Sequence, residues 1–303
     1  MITRRKFISK AAIAACAAML SPDLFALQGK KKLENFGFIS GIIGKELKED
    51  WKGALKKAAS FGYTEIETGN YMGESAEEFL SYLRETELKL VAGGFEFKSS
   101  DEDLKKSLDL LTQLKVKIAV VYWPWYTGGP FRLADCKQSA ERLNYLGKVC
   151  KEKGLEFSWH NHDKEFIPME EGLPFDYLMK NTDPSLVKCE LDIYWAAKGG
   201  ADPVELMKKY SGRYNILHIK DMAPGSTMDF ECPGSGIIDF SPVFREAYSQ
   251  GIRHFMVERD NVTDGIACLK SAAEYLDKLR YCFHPKKEVF RLISGEMKIL
   301  CYF

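Results

Sequence analysis

The segment Leu155-Glu156-Phe157-Ser158-Trp159-His160-Asn161-His162 has the composition of a β-strand. Its first part contains apolar residues that alternate with polar ones, and its last part carries two histidines. Gly154 stands immediately before it, where the preceding helical pattern, residues 137–153, has to stop. The same alternation of a short strand, a turn and a longer amphipathic run recurs along the chain from Phe36. This repeat predicts successive βαβ units on a parallel sheet.

Eight strand candidates follow one another in this repeat. They are residues 36–40, 64–68, 88–94, 117–123, 155–162, 186–192, 214–219 and 254–258. Helical patterns cover residues 51–61, 76–87, 104–114, 137–153, 203–210, 241–249 and 266–280. Alternation of this kind leaves two main architectures, a closed barrel or an open doubly wound sheet.

Three further observations bear on that choice. The first strand lacks the G-x-G-x-x-G turn of the dinucleotide-binding open sheet. Gly62 and Gly154 stand where helices should stop, and Asp101, Asp135 and Asp202 stand where helices should start. A barrel of about 250 residues uses most of the chain of 303. The sequence therefore predicts a single (β/α)8 TIM barrel in residues 31–281.

Polar residues gather at the carboxyl ends of five predicted strands. These ends are Glu65-Ile66-Glu67, His160-Asn161-His162, Glu190-Leu191-Asp192, His218-Ile219-Lys220-Asp221 and Glu258-Arg259-Asp260. In a barrel these ends converge on the face where active sites are built. Unpaired charges there would be costly unless a metal ion or a substrate balances them.

Three segments carry a resemblance to a known family: Trp159-His160-Asn161-His162-Asp163-Lys164-Glu165-Phe166, Leu191-Asp192-Ile193-Tyr194-Trp195 and Leu217-His218-Ile219-Lys220-Asp221. Together they resemble the sugar phosphate isomerase/epimerase family, the xylose-isomerase-like TIM barrels, over about residues 36–281. The resemblance implies a divalent ion, Mn, Co, Mg or Zn, held by Glu165, Asp192, His218 and Glu258. It also implies a homo-oligomer, a dimer or a tetramer.

Two positions depart from the family pattern. Many relatives carry the first glutamate ligand directly on strand five, where this chain has His160, so either Glu165 or His160 is the ligand. We prefer Glu165. Relatives also often have a histidine three residues after Asp192, and Trp195 occupies that position here.

The resemblance and the residue types together predict proton abstraction next to a carbonyl, the step that isomerases, epimerases and related lyases share. The candidate bases are His162, His160 and Glu67, and Lys220 can steady a substrate oxygen by its charge. Aromatic faces for a sugar ring can come from Trp123, Trp125, Tyr126 and Trp195. The predicted substrate is a free sugar or keto-sugar.

Other interpretations stay open at this point. Glu258 can pair with Arg259 or Arg253 on the surface, and the aromatic residues 122–126 can be core and loop packing. The loop Cys232-Pro233-Gly234-Ser235-Gly236 crosses near the site, and its glycines serve a turn. The alternative functions are a carbohydrate-binding barrel without catalysis and a metal hydrolase similar to endonuclease IV.

The N-terminal segment has the features of an export signal. Thr3-Arg4-Arg5-Lys6-Phe7-Ile8 resembles a twin-arginine motif, and an Ala-rich apolar stretch follows it. Residues 1–30 are therefore predicted to be a signal and linker, and the protein to be periplasmic. Ile13-Ala14-Ala15-Cys16 resembles a lipobox, which would make Cys16 a lipid anchor. Residues 282–303 form an extension that the barrel does not require.

The composition limits the classes of binding partner that can be expected. The chain has 43 basic and 43 acidic residues, with no stretch of lysine, arginine and aromatic residues that would follow a nucleic acid backbone. Nucleic acid is therefore not an expected partner. The 8 cysteines contain no C-x-x-C pair and are predicted to be mostly small buried side chains.

Overall fold

The computed structural model describes residues 31–281 of the chain. The signal predicted in residues 1–30, with Cys16, and the extension predicted in residues 282–303 lie outside the described residues. The chain divides into two compact units, of which the larger is Leu33–Leu279. In the described part of the smaller unit, Lys31 and Tyr281 form an antiparallel bridge with N···O distances of 2.9 and 3.1 Å.

A closed barrel of parallel strands forms the larger unit. Its strands are β1 (Gly37–Ile39), β2 (Glu65–Glu67), β3 (Lys89–Gly94), β4 (Ile118–Val121), β5 (Glu156–His160), β6 (Lys188–Asp192), β7 (Tyr214–Ile219) and β10 (His254–Val257). They are hydrogen-bonded in the order β1-β10-β7-β6-β5-β4-β3-β2, and each neighbouring pair is parallel. Every barrel strand lies within a predicted range, and the predicted (β/α)8 barrel is confirmed.

Helices follow the strands around the outside. They are α1 (Gly44–Ser60), α2 (Ala76–Glu85), α3 (Asp101–Gln113), α4 (Leu133–Glu152), α5 (Pro174–Asn181), α6 (Ile193–Lys198), α7 (Pro203–Lys209), α8 (Phe240–Ser249) and α9 (Gly265–Lys278). α1 is kinked at Asp50, whose carboxylate accepts a hydrogen bond from Gly53 N at 2.9 Å. This carboxylate restarts the helix at the point where the sequence pattern begins. No helix within residues 31–281 is long and apolar enough to span a bilayer.

The predicted helix ends are confirmed in part. Gly62 and Gly154 follow α1 and α4 with φ of 100° and 75°, a conformation that glycine adopts without a steric cost. Asp202 caps α7 by accepting hydrogen bonds from the first turn. The prediction for Asp101 is wrong, because Ser100 is the N-cap of α3 and Asp101 is its first residue.

Two short helices and a two-stranded hairpin were not among the predicted elements. α5 and α6 are short, and β8 (Asp221–Met222) pairs with β9 (Phe230–Glu231) in a hairpin directly after β7. α6 starts immediately after β6, and the Asp192 side chain caps it by accepting from Trp195 N at 2.7 Å. Asp192 therefore has one oxygen committed to a helix end.

Strand alternation separates an apolar layer from a polar layer. Ile216 and His218 on β7, and Lys220 directly after this strand, share one face, because side chains two apart point the same way. Ile216 packs in a buried cluster with Met256 and Val120, while His218 and Lys220 lie beyond that cluster toward the carboxyl end of the strand. The apolar layer supports the polar residues from below.

One disulfide joins the hairpin to the last helix of the barrel. Cys232, directly after β9, is bonded to Cys268 in α9, and their α-carbons are 5.6 Å apart. Cys136, Cys150 and Cys189 are buried free thiols, as predicted for most of the cysteines. Cys232 and Cys268 are not free thiols, because the fold brings together two residues 36 positions apart, and the sequence did not predict this pairing.

Candidate metal centre

Four side chains from the late strands meet at the carboxyl end of the barrel. One ligand atom each of His160, Asp192, His218 and Glu258 lies within 4.8 Å of the others. Nδ1 of His218 is 2.6 Å from Oε2 of Glu258, and Nε2 of His160 is 3.8 Å from Oδ2 of Asp192. We call these four residues the ligand cluster. It contains three of the four predicted ligands and His160, the second choice for strand five.

Glu165, the preferred choice for strand five, lies outside the ligand cluster. It is completely buried in a 3-10 turn after β5, Lys164–Phe166. One carboxylate oxygen accepts from Trp125 Nε1 at 2.7 Å and the other from His162 N at 3.1 Å. Burial raises the pKa of Glu165 to about 7. The geometry thus favours His160 over Glu165 as the ligand from this part of the chain.

Two buried carboxylates lie behind the histidines. Oε1 of Glu190 is 2.9 Å from His160 Nδ1 and 3.1 Å from His218 Nε2. Oε2 of Glu67 is 3.0 Å from His218 Nε2, and its Oε1 accepts a hydrogen bond of 2.6 Å from the Tyr122 hydroxyl. Each imidazole therefore has one nitrogen facing the ligand cluster and the other facing a carboxylate.

Lys220 is a buried cation at the edge of the cluster. Its Nζ lies 3.3 Å from Asp192 Oδ2, 3.1 Å from Glu258 Oε2 and 2.8 Å from Asp260 Oδ2. Glu258 therefore pairs inward, and the alternative of a surface pair with Arg259 or Arg253 is wrong. Arg259 instead lies 3.1 Å from Glu231.

The electrostatics of the site are dominated by burial. Burial, followed by the neighbouring Glu67, raises the pKa of Glu190 to about 8. Burial also raises the pKa of Asp192 to about 6, although Lys220 opposes this. Burial alone would lower the pKa of His218, but Glu190, Glu67 and Glu258 outweigh it and hold that pKa well above its usual value. The site carries more carboxylates than its own cations can neutralise.

The residues present fit a divalent metal ion. Asp192 Oδ2 is buried and accepts no hydrogen bond within the described part of the chain, although Lys220 is nearby. Two imidazoles and two carboxylates form a donor set that suits zinc, cobalt or manganese. A 2+ charge would also offset the excess of buried carboxylates. A second set, Glu67, Glu190 and His218, overlaps the ligand cluster through His218.

His162 stands beside the ligand cluster between two indole rings. Its ring centroid is 5.1 Å from that of Trp123, 5.2 Å from that of Trp195 and 5.0 Å from that of His160. Its Nδ1 is buried without a hydrogen-bond partner among residues 31–281. Burial, and then Lys220, lower the pKa of His162 to about 4, so the imidazole is neutral at pH 7.

The four predicted aromatic residues separate into two groups. Trp123 and Trp195 are partly exposed beside His162. Trp125 is completely buried and stacks on Phe131 with the ring centroids 3.6 Å apart. The prediction that Trp125 offers a face to a sugar is wrong, because the ring is core packing. Tyr126 is exposed and packs on Phe97.

The loop after β7 is fastened by one carboxylate. Asp221 is completely buried, and its two oxygens accept hydrogen bonds of 2.8 to 3.0 Å from the backbone N–H groups of Met222, Gly234, Gly236 and Ile238. Gly236 has to be glycine, since a Cβ there would lie 2.3 Å from the Met222 carbonyl oxygen. The predicted turn role of the glycines agrees with this arrangement.

The same loop carries an aromatic ring to the site. Phe230 of β9 packs on Trp195 and Tyr194, with ring centroids 5.4 and 4.9 Å apart. Lys220 Nζ lies 5.3 Å from the Trp195 ring centroid and 5.6 Å from that of Phe230. The hairpin therefore forms an aromatic wall next to the buried lysine.

Sequence reasoning missed two residues of the site. Glu190 contacts His160 and His218 of the ligand cluster, and Tyr122 donates a hydrogen bond to Glu67, but neither residue is among the predicted site residues. The signal for Glu190 was present, because it alternates with Asp192 on one face of β6. Tyr122 fits only because Gly94 lies against its ring, where a Cβ would be 2.1 Å from Tyr122 Cε2.

Comparison with known proteins places the chain in a family. The model of the xylose isomerase-like TIM barrel family matches residues 55–280. A sugar phosphate isomerase/epimerase from Parabacteroides distasonis has a crystal structure with a TM-score of 0.70 and 27% identity, covering 82% of this chain and 94% of that chain.

Two further comparisons are more distant or cover less. An inosose dehydratase from Geobacillus kaustophilus is 29% identical over 170 residues, which is 49% of this chain and 54% of that enzyme. A crystal structure of the IolI protein with a zinc atom has a TM-score of 0.63 at 16% identity, covers 80% of this chain and 96% of that chain, and shows the shared fold. Since the family model spans most of the chain, this protein belongs to the xylose isomerase-like TIM barrel family.

Proposed function

We propose that this protein is a divalent-metal-dependent enzyme that removes a proton next to a carbonyl of a free sugar or keto-sugar, as an isomerase, an epimerase or a related lyase. The observation that carries this proposal is the ligand cluster of His160, Asp192, His218 and Glu258 at the carboxyl end of the barrel. The names of the relatives, inosose dehydratase and sugar phosphate isomerase/epimerase, agree with chemistry of this class.

The cluster residues would hold the ion, and His162 would move the proton. A bound divalent ion supplies Lewis acidity that polarises a carbonyl and stabilises negative charge on its oxygen. His162 is the best placed base, since its imidazole is neutral and its Nδ1 has no partner in residues 31–281. The other candidate bases already have hydrogen-bond partners: His160 contacts Glu190, and Glu67 contacts His218 and Tyr122.

The remaining residues would orient the substrate. Lys220 is held by three carboxylates and can direct its ammonium group toward a substrate oxygen. Trp123 and Trp195 stand on two sides of His162, where flat indole faces can pack on the C–H groups of a sugar ring. A sugar bound against these indole rings would have a carbon-bound proton next to the imidazole of His162.

Export is a separate part of the proposal. The twin-arginine-like segment and the lipobox-like Cys16 support a periplasmic or membrane-anchored protein. The Cys232–Cys268 bond is consistent with an oxidising compartment. Export in turn favours a free sugar over a phosphosugar as substrate. Fractionation of cells expressing the full chain tests this, and protein confined to the cytoplasm would contradict it.

The test of the activity combines metal analysis with proton exchange. Purified protein is analysed for bound metal, and keto-sugars are incubated with it in D2O to follow deuterium uptake next to the carbonyl. Asp192→Ala should lose the metal, whereas His162→Ala should keep the metal and lose exchange. His254→Ala is the matched control. His254 is the first residue of β10, at the end of the strand away from the ligand cluster, and its imidazole pairs with Glu65.

Three outcomes would contradict the proposal. Exchange that survives both site variants would remove the mechanism. Protein without stoichiometric metal, together with melting that chelator does not change, would favour a carbohydrate-binding barrel. Metal-dependent cleavage of DNA at abasic sites would favour a hydrolase similar to endonuclease IV.

A further inference from the structure

A single buried carboxylate bridges the two imidazoles of the ligand cluster. Oε1 of Glu190 lies 2.9 Å from His160 Nδ1 and 3.1 Å from His218 Nε2. Its other oxygen, Oε2, is buried and accepts no hydrogen bond from residues 31–281. One oxygen of Glu190 therefore contacts both rings, and the other oxygen makes no hydrogen bond within residues 31–281.

The contact with Glu190 fixes which nitrogen of each imidazole ring faces the ligand cluster. Because Nδ1 of His160 faces Glu190, its Nε2 is the nitrogen that faces Asp192, at 3.8 Å. Because Nε2 of His218 faces Glu190 and Glu67, its Nδ1 is the nitrogen that faces Glu258, at 2.6 Å. In a histidine that ligates a metal ion, a carboxylate at the outer nitrogen accepts the ring N–H and fixes the orientation of the ring, so that the inner nitrogen is the ligand atom.

The donor set then decides which ions suit the site. Imidazole donors favour zinc and cobalt, whereas magnesium prefers carboxylate oxygens and water. A carboxylate behind an imidazole makes it a stronger donor, and loss of such a carboxylate typically lowers metal affinity by about 10- to 100-fold. In this site Glu190 contacts two of the four donors, and Glu67 contacts His218 as well.

We propose that Glu190 is a positioning residue that sets metal selectivity: by contacting Nδ1 of His160 and Nε2 of His218 it orients both rings so that their other nitrogens face the ligand cluster, which directs the cluster toward Zn²⁺ or Co²⁺ rather than Mg²⁺. The inference rests on the proposed function only in requiring that the ligand cluster binds a divalent ion. It concerns the choice of ion and makes no demand on the identity of the sugar.

The test measures metal binding to the full chain without any assay of turnover. Affinities for Zn²⁺, Co²⁺ and Mg²⁺ are determined by competition with a chromophoric chelator for the wild type, Glu190→Gln and Glu165→Gln. Glu165→Gln is the matched control, because Glu165 is an equally buried carboxylate whose partners are an indole and a backbone amide. Circular dichroism establishes that each variant is folded.

The expected result is specific to ions that bind imidazole. Glu190→Gln should lower the Zn²⁺ and Co²⁺ affinities by about 10- to 100-fold, should change Mg²⁺ affinity little, and should keep the wild-type visible spectrum of bound Co²⁺. Glu165→Gln should match the wild type for all three ions. The ratio of Zn²⁺ to Mg²⁺ affinity is the readout that a merely structural role of Glu190 would not move.

Several results would overturn the inference. Unchanged selectivity in Glu190→Gln would show that the bridge has no influence on the ion. A Co²⁺ spectrum with altered coordination in that variant would make Glu190 a ligand, as in the set with Glu67 and His218. Loss of affinity in Glu165→Gln would return the strand-five ligand to Glu165. A wild-type protein that binds none of the three ions would refute the proposed function itself.

Discussion

Replacement of Asp221 by asparagine should strongly destabilise the loop that follows β7. Each carboxylate oxygen of Asp221 accepts two backbone N–H groups, Met222 and Ile238 on Oδ1, Gly234 and Gly236 on Oδ2. In either orientation the amide of asparagine turns an N–H group toward two of these donors. Hydrogen bonds to a charged group contribute about 1.5 to 3 kcal/mol each, so two lost bonds cost about 3 to 6 kcal/mol.

The assay should separate global from local effects of Asp221→Asn. Urea unfolding gives the change in the free energy of unfolding, and hydrogen exchange at Gly234, Gly236 and Ile238 reports opening of the loop alone. Asp229→Asn in the same loop is the control, since its side chain is exposed and surface substitutions usually stay within about 0.5 kcal/mol. An Asp221→Asn protein that matches this control in both measurements would refute the reasoning.

Three further results are expected. Replacing Cys232 and Cys268 by serine removes a crosslink across 36 residues and should lower stability by about 4 kcal/mol in the chain-entropy model; melting curves that coincide with those of the disulfide form would count against it. Because burial raises the pKa of Glu165 to about 7, its folding contribution is fully present below pH 4.5, the ordinary value, and is lost as the pH rises through 7. In Glu165→Gln the fall in the free energy of unfolding from pH 5 to 8 should therefore shrink by about 2.5 kcal/mol, as measured in urea titrations at several pH values, and an identical slope would contradict the assignment. A metal ion at about 100 times its Kd should add about 2.7 kcal/mol and raise Tm by about 5 to 10 °C, and neither chelated protein nor Asp192→Ala should show the shift.

The barrel was predictable because its signals are local and repeat. Each strand is a short apolar run followed by a polar end, and the order of these units in the chain is their order in space. The hairpin of β8 and β9 lacks such a signal, since its two strands have two residues each. Its position depends on Asp221 and on the disulfide, which are contacts between distant parts of the sequence.

The site was predictable only where strand alternation fixes the direction of a side chain. Asp192, His218 and Glu258 lie at or just beyond strand ends, and the structure brings them together as expected. Glu165 lies in a turn, where direction is set by packing, and the indole of Trp125 draws its carboxylate away from the cluster. Such a contact leaves no trace in spacing or composition.

The location of the Cys232–Cys268 bond bears on when it can form. The barrel itself brings the two α-carbons to 5.6 Å, a separation within the usual range for this bond. Arg259 places its guanidinium 3.1 Å from Sγ of Cys232, where a cation stabilises the reactive thiolate. A chain that crosses the membrane already folded, as residues 3–8 predict, would arrive with both sulfurs aligned for oxidation. The fraction of the protein in which Cys232 and Cys268 are disulfide-bonded would then measure how much of it has crossed the membrane.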